Sequence, residues 1–181
     1  MKRISRYVGL LVLTIVFAGM PLLFTATQAL AQEDIADHPS CPFCGMDREK
    51  FAHSRVLVTY DDGSEFGACS LHCAAIDMAR TMDKAPQSIM VGDHATKKLI
   101  DAEKAHWVLN GKQMGVMTKR AKWAFQDKAD AEQYIQKNGG ESVSFENALK
   151  ATFEDMYEDS KMIREKRKEM RMKKMKHQDQ G

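Results

Sequence analysis

The stretch CPFCGM at residues 41–46 places two cysteines around a tight turn, and ACSLHCAA at 68–75 places two more around the start of a helix. These segments hold all four cysteines of the 181-residue chain. A Cys-x2-Cys turn followed by glycine directs both sulfurs toward one ion. Residues three and four apart on a helix share a face, so His72 and Cys73 are expected to point back toward Cys69. The spacing predicts a metal site.

Three interpretations of the four cysteines compete. A structural zinc site would use them as a closed set of four thiolates. Two disulfides would suit an oxidising compartment without any metal. Copper(I) would take thiolate and thioether ligands together. Methionine favours copper, because Met46 follows the turn directly and Met114 and Met117 lie in the polar loop 111–120, where there is little core to fill.

The amino terminus predicts export. Three cations precede an apolar run at 8–24, and an Ala-x-Ala motif ends at Ala31. This is the pattern of a signal peptide covering residues 1–31, with an uncleaved membrane anchor as the alternative. The predicted compartment is the bacterial periplasm.

Charge is divided unevenly along the remaining chain. Residues 32–160 carry a net charge of −7, whereas 161–181 carry nine Lys/Arg against three acidic residues, a net charge of +6. The acidic body argues against a nucleic-acid partner. The basic tail predicts either a solvated helix or a weak contact with an anionic membrane surface.

Local patterns predict an α+β fold built from two small ββα(β) units. In the first unit, which covers 32–84, the cysteine turn precedes a hairpin around the Asp-Gly turn at 61–63. Ser70 is the predicted N-cap of the helix that follows, which runs to about Met82.

The second predicted unit covers 85–150 and is followed by a basic helical tail at 151–181. Its strands and helix are predicted at 106–110, 122–127, 127–137 and 141–145. Segment 88–95 is expected to be an edge strand or the link between the units.

Longer motifs identify a known family. CPFCGM, HWVLNGKQMGVM (106–117), AKWAFQDKADAEQYIQKNGG (121–140) and SVSF (142–145) resemble the nitrous oxide reductase accessory proteins of the NosL type. The resemblance covers 39–145 and implies a copper(I) chaperone outside the cytoplasm, without catalytic activity. Its implied partners are a membrane-bound copper donor and a copper-receiving enzyme such as nitrous oxide reductase. The positions that match the family's ligand motifs are Cys41, Cys44, Met46 and Met114.

Spacing and resemblance together define the candidate site. The predicted metal ligands are Cys41, Cys44, Met46, Cys69, His72, Cys73, Met114 and Met117. The other histidines are expected to have surface or structural roles, and the tail methionines are expected to have no site. The alternative functions are a zinc knuckle, a heavy-metal-sensing module and a thiol-disulfide oxidoreductase. The last would need its Cys-x2-Cys at a helix N-terminus, whereas the glycine that follows Cys44 favours a turn.

Overall fold

The computed structural model describes residues 33–178, so the predicted signal peptide lies outside the described residues. The elements in chain order are α1 (Glu33–Asp37), β1 (Val56–Tyr60), β2 (Glu65–Ala68), α2 (Leu71–Arg80), β3 (Pro86–Gly92), β4 (Leu99–Asp101), β5 (His106–Leu109), β6 (Lys122–Phe125), α3 (Lys128–Asn138), β7 (Glu141–Val143) and α4 (Phe145–Gln178). Helices and antiparallel strands are combined, which confirms the predicted α+β class. Within 33–178, no helix has the length and apolar character needed to cross a bilayer.

The first sheet has four antiparallel strands in the order β2-β1-β3-β4. In β1 burial alternates, so Val56, Val58 and Tyr60 face the core. The predicted hairpin is confirmed: β1 and β2 pair with Val56 opposite Ala68. This register places Cys69 immediately beyond the end of β2, at the point where the chain enters α2.

The position of β3 differs from the sequence prediction. Segment 88–95 was expected at a sheet edge or between units, but β3 pairs with β1 on one side and β4 on the other. The predicted boundary between 84 and 85 therefore precedes two strands of the first sheet, which ends at Asp101. The first three residues of β3 are exposed, so the strand lacks the regular alternation that marks a half-buried strand.

The second sheet has the order β6-β5-β7, and α3 packs against all three strands. The predicted order of strand, strand, helix and strand is confirmed. The last strand is shorter than predicted, because β7 ends at Val143 and Phe145 begins α4 instead. Phe145 is buried and its ring centroid lies 5.8 Å from that of Trp107, so this residue packs as the first core residue of a helix.

A buried aspartate joins the two sheets. Asp93 is fully buried, and its carboxylate accepts hydrogen bonds from the backbone N–H groups of Thr96 (2.8 Å) and Gln126 (3.1 Å). The neighbouring N–H of His94 donates to the carbonyl of Ala124 at 2.8 Å. The largest core cluster also contains residues of both sheets, so the sheets share one hydrophobic core.

Helix α4 is a single helix of 34 residues, in which the predicted basic tail continues the segment that packs on the core. Its buried residues extend to Asp159, and it contacts α2 and β5. Asp155 fixes it further, accepting hydrogen bonds from Arg120 (2.8 Å) and Lys122 (2.5 Å). From residue 164 onward the described side chains are exposed.

Candidate metal centre

The first cysteine pair lies in a turn closed by backbone hydrogen bonds. The N–H of Cys41 donates to the carbonyl of Met46 at 2.9 Å, and the N–H of Gly45 donates to the carbonyl of Cys41 at 2.8 Å. Gly45 has a φ of 73°, a conformation that favours glycine. The turn holds Cys41 and Cys44 on the same side of the loop. It is not a helix N-terminus, on which the oxidoreductase alternative depended.

The second pair lies on regular secondary structure. Cys69 follows β2, Ser70 is the N-cap of α2, and Cys73 lies in the first turn of this helix. The Sγ atoms of Cys69 and Cys73 are 3.8 Å apart, and both residues are buried. A sheet and a packed helix therefore hold this pair in place.

Folding brings all four sulfurs together. The Sγ atom of Cys44 lies 3.4 Å from that of Cys69 and 4.0 Å from that of Cys73, and all four sulfurs lie within 4.8 Å of one another. Four thiolates at about 2.3 Å from one zinc ion would be separated by roughly 3.8 Å, so the observed spacing suits a metal ion. All four cysteines are free, so the two disulfides of the alternative interpretation are not formed between them. We refer to Cys41, Cys44, Cys69 and Cys73 as the cysteine cluster.

Contacts among the four thiols of the cysteine cluster shift their pKa values in opposite directions. Hydrogen bonds from the other three thiols, that of Cys44 first, hold the pKa of Cys41 far below its ordinary value. For Cys44, the contact with Cys41 raises the pKa, but those with Cys69 and Cys73 outweigh it and lower the pKa to about 7. The contacts with Cys41 and then Cys44, together with burial, raise the pKa values of Cys69 and Cys73. Metal binding at the cysteine cluster must displace the protons that remain on the sulfurs.

His72 does not join the cysteine cluster, contrary to the expectation that it would point toward Cys69. Its Nδ1 atom lies 3.7 Å from Oδ2 of Asp159 on α4, and both side chains are buried. The group of potential ligand atoms found within the described residues contains the four cysteines without this histidine. His72 precedes Cys73 by one residue on α2. Its side chain therefore points in a different direction around the helix axis, toward α4.

The three predicted methionines lie around one cavity of about 620 Å³. Met46, Met114 and Met117 line its wall together with Cys44, so the cavity adjoins the cysteine cluster. Met114 is 56% exposed, whereas Met46 and Met117 are half-buried and pack on the core. We refer to this space as the methionine cavity.

The methionine cavity also contains residues that the sequence did not indicate as site residues. Met162 and Met170 of α4 line it, although the tail methionines were expected to have no site. Their spacing of eight residues on one helix face was the available signal, but nothing local showed where that helix lies.

Two histidines complete another part of the wall. His53 and His94 line the cavity, and their ring centroids lie 5.5 Å and 4.9 Å from that of Trp123. Burial is the main factor that lowers the pKa of each histidine below its ordinary value of 6.5. Both rings are therefore neutral at pH 7.

The fold and the cluster define a class: an α+β protein with a four-cysteine site able to hold a metal ion, beside a cavity rich in thioethers. The chain belongs to the NosL family, whose sequence profile matches residues 32–153. The family predicted from the motifs is thus confirmed. No curated protein matches the chain.

A solved structure offers a further comparison. The chain is 20% identical to the copper chaperone NosL from Shewanella denitrificans, with a TM-score of 0.48, over 59% of this chain and 87% of that chain.

The family match ends at residue 153. Met162 and Met170 therefore lie beyond the part of the chain that the family profile describes.

Proposed function

We propose that this protein is a periplasmic copper(I) chaperone that binds Cu⁺ at the cysteine cluster and transfers it to a copper-receiving enzyme, without catalysis of its own. The observation that carries the proposal is the convergence of four free sulfurs within 4.8 Å beside a cavity lined by methionine. Thiolate and thioether ligands together are the soft set that copper(I) favours. Membership of the NosL family supports the same function.

Cargo transfer requires a ligand that an acceptor can reach. Cys41, Cys69 and Cys73 are at most 1% exposed, whereas Cys44 is half-buried and contributes to the cavity wall. An incoming thiolate or thioether can therefore approach Cu⁺ from the side of Cys44. We propose that Cys44 is the first ligand replaced, and that Met46, two residues later, holds the ion during the exchange.

A structural zinc site is the second candidate. The sulfur–sulfur distances of 3.4 to 4.0 Å between Cys44, Cys69 and Cys73 suit a tetrahedral four-thiolate site, which is the usual geometry of structural zinc. Such a site would be closed on all sides, whereas Cys44 opens on the methionine cavity. This opening is the reason to prefer copper transfer.

Competition titration of the reduced protein distinguishes the two candidates. Copper(I) is titrated against a chromophoric chelator, and zinc against a zinc indicator. The chaperone proposal expects tight copper(I) binding that Cys41→Ser with Cys44→Ser abolishes, with Met82→Leu as the control because Met82 is 85% exposed and lies outside the cavity. Tight zinc binding combined with only weak, adventitious copper(I) binding would establish the zinc alternative instead. Circular dichroism verifies that each variant is folded.

The recipient that we propose is nitrous oxide reductase, and the proposed source is a membrane-bound copper donor. The test is to mix the copper-loaded chaperone with the copper-free reductase, separate the two proteins and measure the metal content of each. Transfer to the reductase, and not to an unrelated apo-protein of similar affinity, supports the assignment. Fractionation of cells tests the periplasmic location and the alternative of an uncleaved anchor.

A further inference from the structure

The methionine cavity is formed by three separate parts of the chain. Met46 comes from the cysteine turn, Met114 and Met117 from the loop between β5 and β6, and Met162 and Met170 from α4. Five thioethers thus line a single space in contact with Cys44. Core filling does not account for all of them, because Met114 is 56% and Met170 is 61% exposed.

One face of α4 forms the outer wall. The lining residues Met162, Lys166 and Met170 are successively four residues apart, and Ile163 and Arg167 follow the same spacing. This face lies beyond the last family-matched residue, so this wall of the cavity is outside the part of the chain that the family profile describes. Met162 is half-buried and Met170 is largely exposed, so the face extends from the cavity to solvent.

We infer that the thioethers of Met114, Met162 and Met170 form a second and weaker copper(I) site along the wall of the methionine cavity. Met162 and Met170, about 12 Å apart along α4, bind the ion in succession as it passes between solvent and the cysteine cluster. The inference rests on the proposed copper function and extends it to a specific route. Thioethers are neutral soft ligands that bind copper(I) without the loss of a proton. In the transfer step copper remains Cu⁺: a copper–thioether bond breaks, a copper–thiolate bond to Cys44 forms, and no electron is exchanged.

The positive charge of the cavity wall favours release of Cu⁺ from this site over tight binding. Lys166 and Arg167 line the same space, and no carboxylate occurs among the described lining residues. Hard cations such as Ca²⁺ or Mg²⁺ would lack carboxylate ligands here, which their sites in proteins usually contain. The two positive charges also destabilise a bound cation, so Cu⁺ is released more readily here than from the anionic thiolates of the cysteine cluster.

Nuclear magnetic resonance of methionine methyl groups tests the site in the intact protein. The methionine ε-methyl groups are labelled with ¹³C, and copper(I) is added anaerobically beyond the amount that fills the cysteine cluster. The ε-methyl signals of Met114, Met162 and Met170 are expected to shift in this second phase. Those of Met82 and Met172, which lie outside the cavity, are expected to remain unchanged.

Exchange kinetics provide the second measurement. The double variant M162L/M170L keeps the side-chain volume but removes both sulfurs. Removal of copper(I) from the cysteine cluster by a chelator should slow several-fold, with its equilibrium affinity unchanged. The matched control M172L/M175L changes two exposed methionines on the same helix and should exchange as wild type.

The failure of this inference is distinguishable from the failure of the proposed function. If the wild-type protein binds no copper(I) tightly, the chaperone function is overturned. If the cysteine cluster binds copper(I) but the methyl signals of Met162 and Met170 do not move, the second site is overturned alone. Wild-type exchange rates in a folded M162L/M170L variant would also overturn it.

Discussion

The Nδ1 atom of His72 lies 3.7 Å from the Oδ2 atom of Asp159, and each side chain is 2% exposed. This pair connects the helix that carries Cys73 to α4. The other carboxylate oxygen of Asp159 accepts a hydrogen bond from the backbone N–H of Lys119 at 3.1 Å, which fixes the end of the methionine-containing loop. One buried carboxylate therefore connects the surroundings of both the cysteine cluster and the methionine cavity.

Substitution of Asp159 should destabilise the fold. In Asp159→Ala, the partly buried N–H of Lys119 loses its charged acceptor and the ring of His72 loses a buried neighbour, at an expected cost of about 1–3 kcal/mol in the free energy of unfolding. Asp159→Asn retains an acceptor for Lys119 and should cost less. Urea denaturation measures both, and equal losses in the two variants would contradict the role of the hydrogen bond.

Asp34 should be among the most sensitive acidic residues. Its carboxylate pairs with Arg48 at 2.8 Å and Arg55 at 2.9 Å; both arginines are fully buried and Asp34 is 6% exposed. Asp34→Ala removes the Asp34 carboxylate from two buried guanidinium groups, with an expected loss of about 3–5 kcal/mol. Asp37→Ala in the same helix is the control, because Asp37 is exposed. Similar thermal stability of the two variants would contradict the prediction.

Stability should decrease below pH 6.5 partly because of the histidines of the cavity wall. Burial lowers the pKa of His94, with a further contribution from His53, so the unfolded chain takes up a proton before the folded chain does. This destabilising contribution of His94 is absent above about pH 6.5, the pKa of histidine in the unfolded chain, and it grows as the pH falls below that value. We expect His94→Gln to lose less stability than wild type between pH 7 and pH 5. An equal loss in urea denaturation at the two pH values would contradict this.

Gly115 should be required for the loop that carries Met114 and Met117. A Cβ atom at this position would lie 2.6 Å from Cγ2 of Thr118 and 2.8 Å from Cα of Ala121. Gly115→Ala must therefore displace the loop, at an expected cost of about 1–3 kcal/mol. Thermal unfolding measures the cost and the methionine methyl spectrum reports the displacement. Lys112→Ala, at an exposed position of the same loop, is the control, and an unchanged spectrum in Gly115→Ala would contradict the prediction.

The basic end of α4 should bind anionic membranes weakly. The side chains beyond residue 164 are exposed, and each cation near the headgroups contributes about 1 kcal/mol at most, reduced by salt. The triple variant K173Q/K174Q/K176Q should sediment less with anionic vesicles at low salt, whereas K173R/K174R/K176R should sediment as wild type. Unchanged sedimentation of the glutamine variant would leave only a solubilising role for the tail.

The sequence alone determined the features that depend on local geometry. The glycine after Cys44 predicted the turn, the Asp-Gly pair predicted the hairpin, and the helix predicted at 127–137 corresponds to α3. These features arise from backbone conformations and periodicities within a few residues. Cysteine spacing likewise predicted a metal site, because only a few spacings along the chain let several cysteines coordinate one ion.

Only the tertiary structure decided which distant residues meet. No sequence motif marked Asp34, yet it pairs with two buried arginines. His72 had the helical spacing of a ligand, but packing of α4 beside α2 places it next to Asp159. Met162 and Met170 line the methionine cavity because α4 lies along it. Such contacts depend on how helices and sheets pack across long stretches of chain, and short-range periodicity carries no information about that packing.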